Sequence, residues 1–300
     1  MKAITPKVET KQKLKPHFTH VAFSGGGNSA IVYLGAIRLL KQEGFDKSII
    51  NYAGYSAGAL FATLFALDVP LDEIEHIIKT SPLELDIYES FSKLINDKGF
   101  IDPTIYTSRI EKYLDKLTFM DLSKKTGKNL IIIATHMETM EATHFCVDKT
   151  PNVLVKEALH ASVALPLVIA PVKIGNDYYI DGGVACNTVP LVFEPSVPKE
   201  NILILQIGYS INIDKKLIHD NLLYYITTVI GVFCKNNTLI NIVFKEYPYY
   251  IYMTNYDISM IPLNIIDNKL TSSISEAAID KCIEYGYEDT YNYFKSKGVL

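Results

Sequence analysis

The stretch SIINYAGYSAGALFATLFAL, residues 48–67, decides the fold, because a short apolar run, a tight turn and an apolar helix follow one another directly. Residues 48–54 have the length and character of a buried strand, and residues 59–67 are apolar on nearly every side, as in a buried helix. Upstream, residues 19–24 are another apolar run, followed by GGGN and by helical spacing over residues 30–45. This order predicts an α/β protein with a central, mostly parallel sheet covered by helices on both faces.

The rest of the chain continues the alternation of strands and helices. Apolar runs predict two buried strands, helical spacing predicts a helix that ends at Pro166, and a Gly-Asn-Asp turn predicts a hairpin. The two strands are residues 129–137 and 201–208, the helix is residues 154–164, and the hairpin is residues 170–183. Residues 141–147 are expected to pair with the first of these strands. Residues 71–128 are expected to be helical and partly exposed, and a final helix covers roughly residues 274–297.

The composition excludes several classes of function. Of 300 residues, 48% are hydrophobic, enough to bury a large core. The net charge of −4 gives no overall positive field, so nucleic acid is not an expected partner. No apolar run reaches the length of about 20 residues that an integral membrane span needs. The four cysteines form no C-x-x-C motif, which argues against disulfides and zinc and favours a reducing, cytoplasmic location.

The motif GYSAG, which begins at Gly54, is the sharpest local signal. It fits G-x-S-x-G between a strand and a helix, where the serine occupies a strained turn with its hydroxyl exposed. Gly54 and Gly58 flank the turn because a Cβ would clash there. Ser56 is therefore the candidate nucleophile, and Tyr55 and Ala57 complete the motif. The alternative is a serine that only caps the following helix.

The segment SGGGN, residues 24–28, is the second signal. Amides of consecutive glycines can point into one concavity and hold a phosphate or the oxyanion of an acyl-transfer intermediate, which makes Gly25, Gly26 and Gly27 candidate oxyanion-hole residues. The pattern from Gly25 to Ala30 also fits the dinucleotide fingerprint G-x-G-x-x-G/A. That fingerprint needs an acid at the end of the next strand, where this chain has Gly-Tyr-Ser instead. A role in turn geometry alone is the third interpretation.

A nucleophilic serine needs a base. In a Ser-Asp-His enzyme of the α/β-hydrolase type the histidine comes last in the chain. His219 is the one histidine that follows the plausible acids, and a lone histidine in such a segment is more often a surface residue. A carboxylate can act directly instead. Asp181 ends a predicted strand and precedes Gly182 and Gly183, which makes it the best candidate, with an ordinary Asp-Gly turn as the alternative.

Four blocks, taken in order, resemble the patatin-like phospholipase family. They are similar to its glycine-rich oxyanion loop, its nucleophile elbow, its A-S-x-A-x-P helix end and its D-G-G/A motif with the dyad aspartate. In this chain they are SGGG at 24–27, GYSAG at 54–58, ALHASVALP at 158–166 and DGGVACN at 181–187. The resemblance runs from about residue 19 to residue 208.

The resemblance implies a three-layer α/β/α patatin-like fold and a phospholipase A-like lipid acyl hydrolase. Such an enzyme cleaves fatty acyl esters of membrane lipids through an acyl-serine intermediate, with Ser56 as nucleophile, Asp181 as base and the amides of Gly25, Gly26 and Gly27 around the oxyanion. It implies no metal or other cofactor. An aspartate with an ordinary pKa near 3.9 is a poor base at neutral pH, so the site must bury Asp181 and raise its pKa.

Two departures from the family pattern are present. The positions where the family usually has a basic residue and a glycine are Ser29 and Ala30, which could weaken binding of a phosphate headgroup or shift substrate preference. Tyr55 replaces the commoner threonine before the nucleophile. Neither change removes a reacting group, so activity is still expected.

The expected organisation has three parts. Residues 1–18 carry five lysines against one acid and lack the apolar stretch of a secretory signal, which predicts a flexible basic tail. Residues 19–208 form the predicted catalytic domain, and residues 209–300 form a mostly helical C-terminal extension packed on it. The substrate requires contact with a lipid surface, for which residues 71–100 and 222–234 are candidates. The expected location is cytoplasmic, with peripheral association with membranes or lipid droplets as an option.

Three alternatives to hydrolysis remain open at this point. A non-catalytic lipid-binding or interaction protein could keep the scaffold, and a transacylase would share the acyl-enzyme but pass the acyl group to an alcohol. A dinucleotide-dependent oxidoreductase is the most distant alternative. The sequence contains no signal for the oligomeric state.

Overall fold

The computed structural model describes most of the chain. The described residues are 15–80, 83–186, 189–208, 215–220, 225–226, 228–229, 232, 246–254, 264–266, 269–272 and 274–300. The predicted basic tail, residues 1–18, lies almost wholly outside them. Most of the candidate membrane segment 222–234 and residue Asn187 of the fourth motif also lie outside.

The strands and helices alternate along the chain, as the sequence predicts. The strands are β1 (His20–Phe23), β2 (Asn51–Tyr55), β3 (Leu83–Asp86), β4 (Gly99–Ile101), β5 (Asn129–His136), β6 (Ala142–Phe145), β7 (Leu167–Ile169), β8 (Val172–Ile174), β9 (Asp177–Asp181), β10 (Ile202–Ile207), β11 (Tyr250–Met253), β12 (Asn264–Ile266) and β13 (Lys269–Ser272). The helices are α1 (Val32–Glu43), α2 (Ala57–Ala66), α3 (Leu71–Lys79), α4 (Ile87–Asp97), α5 (Thr104–Thr107), α6 (Glu111–Leu114), α7 (Phe119–Thr126), α8 (Val155–Val163), α9 (Lys215–Asp220) and α10 (Glu276–Ser296).

A central sheet of eight strands organises the described residues. Its order is β11-β10-β1-β2-β5-β9-β8, and β6 also pairs with β5. Strands β11, β10, β1, β2 and β5 are parallel to their neighbours in that order, whereas β9, β8 and β6 pair antiparallel. The predicted α/β class with a mostly parallel sheet is therefore confirmed, as are the strands at 129–137 and 201–208 and the hairpin at 170–183.

Alternating side chains of the parallel strands enter two different cores. Val21 and Phe23 of β1 belong to the large core that also contains the apolar faces of α1, α2 and α10. Ala22 of β1 points to the opposite face, where it packs with Val189 and Phe193. Both faces of the central strands are thus buried, which explains their continuous apolar runs.

The prediction that residues 71–128 are helical is wrong in two places. Strands β3 and β4 interrupt the helices of this segment. Strand β3 pairs with β13, and β4 pairs with β7, so both partners lie far along the chain. Local spacing carries no signal for such pairing, because the strands are only three or four residues long.

The segment after residue 208 pairs and packs with the segment before it. Strand β11 pairs in parallel with β10 and so extends the central sheet. Helix α10 packs against α1 with its backbone in close contact: a Cβ at Gly35 would overlap the carbonyl oxygen of Ile283, and one at Gly286 would overlap that of Val32. The division at residue 208 remains a prediction, but the sheet and the large core continue across it.

Candidate functional site

The carboxyl ends of β2 and β9 meet on one edge of β5. Tyr55, the last residue of β2, pairs with Ile133, and Asp181, the last residue of β9, pairs with Ala134. Strand β6 pairs with this same stretch of β5 and so occupies its opposite edge. Because β2 runs parallel and β9 antiparallel to β5, their ends approach each other. This register brings Ser56, the residue after β2, next to Asp181.

Ser56 forms the sharp turn that the motif predicts. Its φ of 54° lies in the left-handed region, which is strained for a residue with a side chain. Ala57 starts helix α2 directly afterwards, so the positive end of the helix dipole lies beneath the serine. The backbone N–H of Ser56 donates to Ser162 Oγ at 2.9 Å, and the Ser162 hydroxyl donates to the Ile133 carbonyl at 2.7 Å. The buried Ser162 therefore ties the strained turn to β5.

Asp181 is held rigidly and is almost completely buried, with 3% of its surface exposed. Its Oδ1 accepts from the amide of Gly183 at 2.7 Å, whereas its Oδ2 has no hydrogen-bond partner among the described residues. The Asp181 amide donates to the Ala164 carbonyl at 2.8 Å, and its carbonyl accepts from the Thr135 hydroxyl at 2.8 Å. A buried carboxylate oxygen without a donor is costly, and it can accept a proton from a hydroxyl that approaches it.

Burial sets the acidity of this carboxyl group. It raises the pKa of Asp181 to about 6, and this rise is opposed by the Ser56 hydroxyl and by the bond from Gly183. Ser56 thus lies close enough to stabilise the charged carboxylate, although Oδ2 accepts no hydrogen bond from the described residues. A pKa near 6 suits a general base, because the group is mostly ionised at neutral pH and still has useful affinity for a proton. Within the described residues, no histidine is among the groups that shift this pKa.

The glycine-rich loop lies against the same turn. A Cβ at Gly25 would come within 2.9 Å of the Ser56 Cβ and 2.7 Å of the Tyr55 ring. A Cβ at Gly26 would lie 2.6 Å from a neighbouring isoleucine, and Gly27 has a φ of 54°. Among the described residues, no backbone carbonyl accepts from the amides of Gly25 and Gly26. The loop therefore combines close approach to Ser56 with amides that have no backbone acceptor.

The other glycines of the motifs lie where chain segments approach each other. A Cβ at Gly54 would be 2.5 Å from the carbonyl oxygen of Gly58, and one at Gly58 would overlap the carbonyl of residue 24. A Cβ at Gly182 would be 2.8 Å from the Tyr55 Cβ, and one at Gly183 would be 3.1 Å from the Tyr55 ring. The side chain of Tyr55 thus contacts glycines of two separate motifs, Gly25 of the first and Gly182 and Gly183 of the fourth, which brings the two loops together.

The structure also places the remaining residues that the sequence singled out, and it shows two hydrogen-bonding residues near Ser56 and Asp181 that the sequence did not predict. Ser29 and Ala30 are buried, whereas His219 on α9 is exposed. Sequence reasoning assigned no role to Ser162 or Thr135. A polar residue inside the apolar ALHASVALP helix end was a usable signal for Ser162, but nothing in the sequence marked Thr135.

The described residues contain no group of three or more His, Cys, Asp and Glu side chains that could hold a metal ion. None of their helices is both long and apolar enough to cross a membrane.

The described residues form an α/β protein in which the motifs predicted from the sequence converge at one place on a mostly parallel sheet. The sequence model of the patatin-like phospholipases matches residues 21–193, more than half of the chain. The chain therefore belongs to the patatin-like phospholipase family, a family of lipid-hydrolysing enzymes.

Two viral relatives and one solved structure are similar to this chain. The chain is 28% identical over 205 residues to "Uncharacterized protein R571" of Acanthamoeba polyphaga mimivirus, covering 66% of this chain and 68% of that one. It is 26% identical over 181 residues to "Probable lipid hydrolase 463L" of Invertebrate iridescent virus 6, covering 57% and 62% respectively. The crystal structure of VipD from Legionella pneumophila shares the fold, with a TM-score of 0.59, 17% identity and coverage of 96% of this chain and 72% of VipD.

Proposed function

We propose that this protein hydrolyses fatty acyl esters of lipids through an acyl-serine intermediate, with Ser56 as nucleophile and Asp181 as base. The observation that carries the proposal is the juxtaposition of the strained Ser56 with a buried, half-paired carboxylate whose pKa burial raises to about 6. A purely structural Asp-Gly turn would gain nothing from a buried carboxylate oxygen without a donor.

The first half of the reaction forms the acyl-enzyme. Asp181 takes the proton of the Ser56 hydroxyl while Oγ attacks the ester carbonyl carbon. The carbonyl oxygen becomes an oxyanion, which the amides of Gly25, Gly26 and Gly27 stabilise. The carbon–oxygen bond to the lipid alcohol then breaks, and the alcohol leaves with the proton that Asp181 had taken.

The second half restores the enzyme. A water molecule gives a proton to Asp181 and attacks the acyl carbon, again with the oxyanion between the glycine amides. The bond to Ser56 Oγ breaks, Oγ takes the proton back from Asp181, and the fatty acid is released. The two carboxyl oxygens have different roles in this scheme. Oδ1 accepts the hydrogen bond from the Gly183 amide, and Oδ2 accepts and returns the proton.

The substrate class requires contact with a lipid surface, and two exposed apolar side chains lie close in sequence to groups of the site. Leu167, three residues beyond the Ala164 carbonyl that binds the Asp181 amide, is 51% exposed. Val184, three residues after Asp181, is 49% exposed. We propose that these residues touch the lipid surface while Ser56 meets the ester. Flotation with liposomes of phosphatidylcholine and phosphatidylglycerol tests this: Leu167→Asp should reduce binding, whereas Ile50→Asp, at the opposite end of β2, should not. Equal binding of both variants and wild type would contradict the proposed contact.

The reaction itself is tested with a mixed panel of phospholipids and glycerides, with released fatty acids measured by mass spectrometry. Wild type should release fatty acid and should react with a fluorophosphonate probe, because only an activated serine is labelled. Ser56→Ala should lose both properties, and Asp181→Asn should lose turnover by about a thousandfold or more, because the two residues act as a unit. Normal turnover by either folded variant would refute the proposed dyad. Probe labelling without lipid turnover would instead favour an acyl acceptor other than water, or an acyl donor other than the lipids tested.

A further inference from the structure

A buried tyrosine on helix α1 is bonded to the point where the glycine-rich loop begins. Tyr33 has no exposed surface. Its hydroxyl donates to the Ser24 carbonyl at 2.8 Å, and it also lies 3.1 Å from the Leu205 carbonyl and 3.0 Å from Ser24 Oγ. Ser24 directly precedes Gly25, so the tyrosine hydroxyl contacts the residue at which the glycine-rich loop begins.

Ser24 continues this network to the neighbouring strand. Its Oγ accepts from the Ile207 amide at 2.9 Å, its hydroxyl lies 3.1 Å from the Gly25 carbonyl, and its own amide donates to Leu205 at 3.1 Å. The ends of β1 and β10 are therefore joined where the loop leaves the sheet. All of these groups are buried, so water cannot replace a lost bond without opening the core.

Two bonds of this network involve peptide carbonyls of the glycine-rich loop. The Ser24 and Gly25 carbonyls are fixed by hydroxyl groups, and fixing a peptide carbonyl also fixes the amide on the other side of the same peptide plane. The Ser24 carbonyl belongs to the peptide of the Gly25 amide, and the Gly25 carbonyl belongs to that of the Gly26 amide. Neither of these two amides donates to a backbone carbonyl of the described residues.

We infer that Tyr33 is a positioning residue that, through Ser24, aims the amides of Gly25 and Gly26 at the reacting oxygen. This inference rests on the proposed function of Ser56. Tyr33 touches neither Ser56 nor the substrate in this scheme. Tyr33 lies in none of the four motif blocks, and the helical spacing of this segment would predict only an ordinary core residue at its position.

Tyr33→Phe tests the inference with little change in shape, because the ring keeps its packing against Phe23 and Phe61. The matched control is Tyr52→Phe, which removes a buried hydroxyl that donates to the Ile49 carbonyl at 3.2 Å, near the other end of β2. With a soluble p-nitrophenyl ester, Tyr33→Phe should lower kcat about tenfold or more with little change in KM, because misdirected oxyanion donors act on the transition state. Tyr52→Phe should retain the wild-type kcat.

A second measurement does not depend on activity. Amide hydrogen exchange followed by mass spectrometry should show faster exchange in the peptide that covers residues 24–28 in Tyr33→Phe, and no such change in Tyr52→Phe. Ser24→Ala, which cuts the same network from its other end, should show the same faster exchange. Unchanged exchange in both Tyr33→Phe and Ser24→Ala, or a kcat of Tyr33→Phe equal to that of Tyr52→Phe, would overturn the inference. If the wild type itself lacked ester turnover, the proposed function would fail, whereas the exchange result would still decide the role of Tyr33.

Discussion

Tyr55 and Asp181 lie opposite consecutive residues of β5, Ile133 and Ala134, and they reach that strand from opposite directions. A nucleophile that follows one strand and a base that ends another are thus brought together by hydrogen-bond register rather than by a long loop. Because the register of a buried strand is strongly specified, the distance between Ser56 and Asp181 is set by the sheet.

The raised pKa of Asp181 predicts a pH dependence of catalysis. The base works only when it is ionised, so kcat/KM should rise with pH and level off above an apparent pKa of about 6. The measurement is kcat/KM for a soluble ester between pH 4 and pH 9. An aspartate at its ordinary pKa would give a profile that is already flat at pH 5, and that profile would contradict the role assigned to burial.

The same burial predicts a cost in stability. A folded-state pKa raised from 3.8 to about 6 means that the folded protein holds the proton more tightly than the unfolded chain. Stability therefore falls as pH rises between these values and stays lower above pH 6, by roughly 2–3 kcal/mol. Asp181→Asn should be more stable than wild type at pH 8 by an amount of that order, and nearly equal to it at pH 4. Urea unfolding at the two pH values gives the comparison, and a variant less stable than wild type at pH 8 would contradict it.

Ser162 should support both the stability and the geometry of the Ser56 turn. Ser162→Ala leaves the Ser56 amide and the Ile133 carbonyl without their partner, which should cost about 2–4 kcal/mol in the free energy of unfolding. The rate of fluorophosphonate labelling should fall as well, because the turn is no longer held. The control is Thr290→Val, which removes a buried hydroxyl that bonds to Gly286 within α10. Labelling of the folded Ser162→Ala protein at the wild-type rate would show that the turn does not need this bond.

Close contact between α1 and α10 predicts a large effect from a single methyl group. Gly286→Ala places a Cβ against the backbone of Val32, so the helices must separate, at a cost of about 3 kcal/mol or more. Glu284→Ala, on the exposed side of the same helix, should change stability by less than about 0.5 kcal/mol. Thermal and urea unfolding of the two variants provide the test, and equal stability would show that the helices can move apart freely.

The parts of this protein that sequence predicted are those in which local pattern and chemistry agree. The apolar runs predicted the parallel strands because both of their faces are buried, and the glycine motifs predicted the turns because only glycine fits them. Strands β3 and β4 were missed because their partners are remote. The bonds of Ser162 and Tyr33 were missed because a buried hydroxyl leaves no periodic signal, and their acceptors lie on strands 29 and 172 residues away. The roles of Ser56, Asp181 and the glycine amides remain predictions that the structure makes testable.

Because Gly35 contacts the backbone of α10, we expect the glycine-rich loop to reach its final position only after that helix has been synthesised. The helix that begins at Val32 leads directly out of the glycine-rich loop, and the helix that supports it is not made until residues 276–296 leave the ribosome. A nascent chain is therefore expected to stay inactive until α10 has docked, even though every proposed reacting group has been translated by residue 181. A chain stopped after residue 273 should accordingly fail to react with a fluorophosphonate probe, and addition of the missing segment as a peptide should restore part of the reaction.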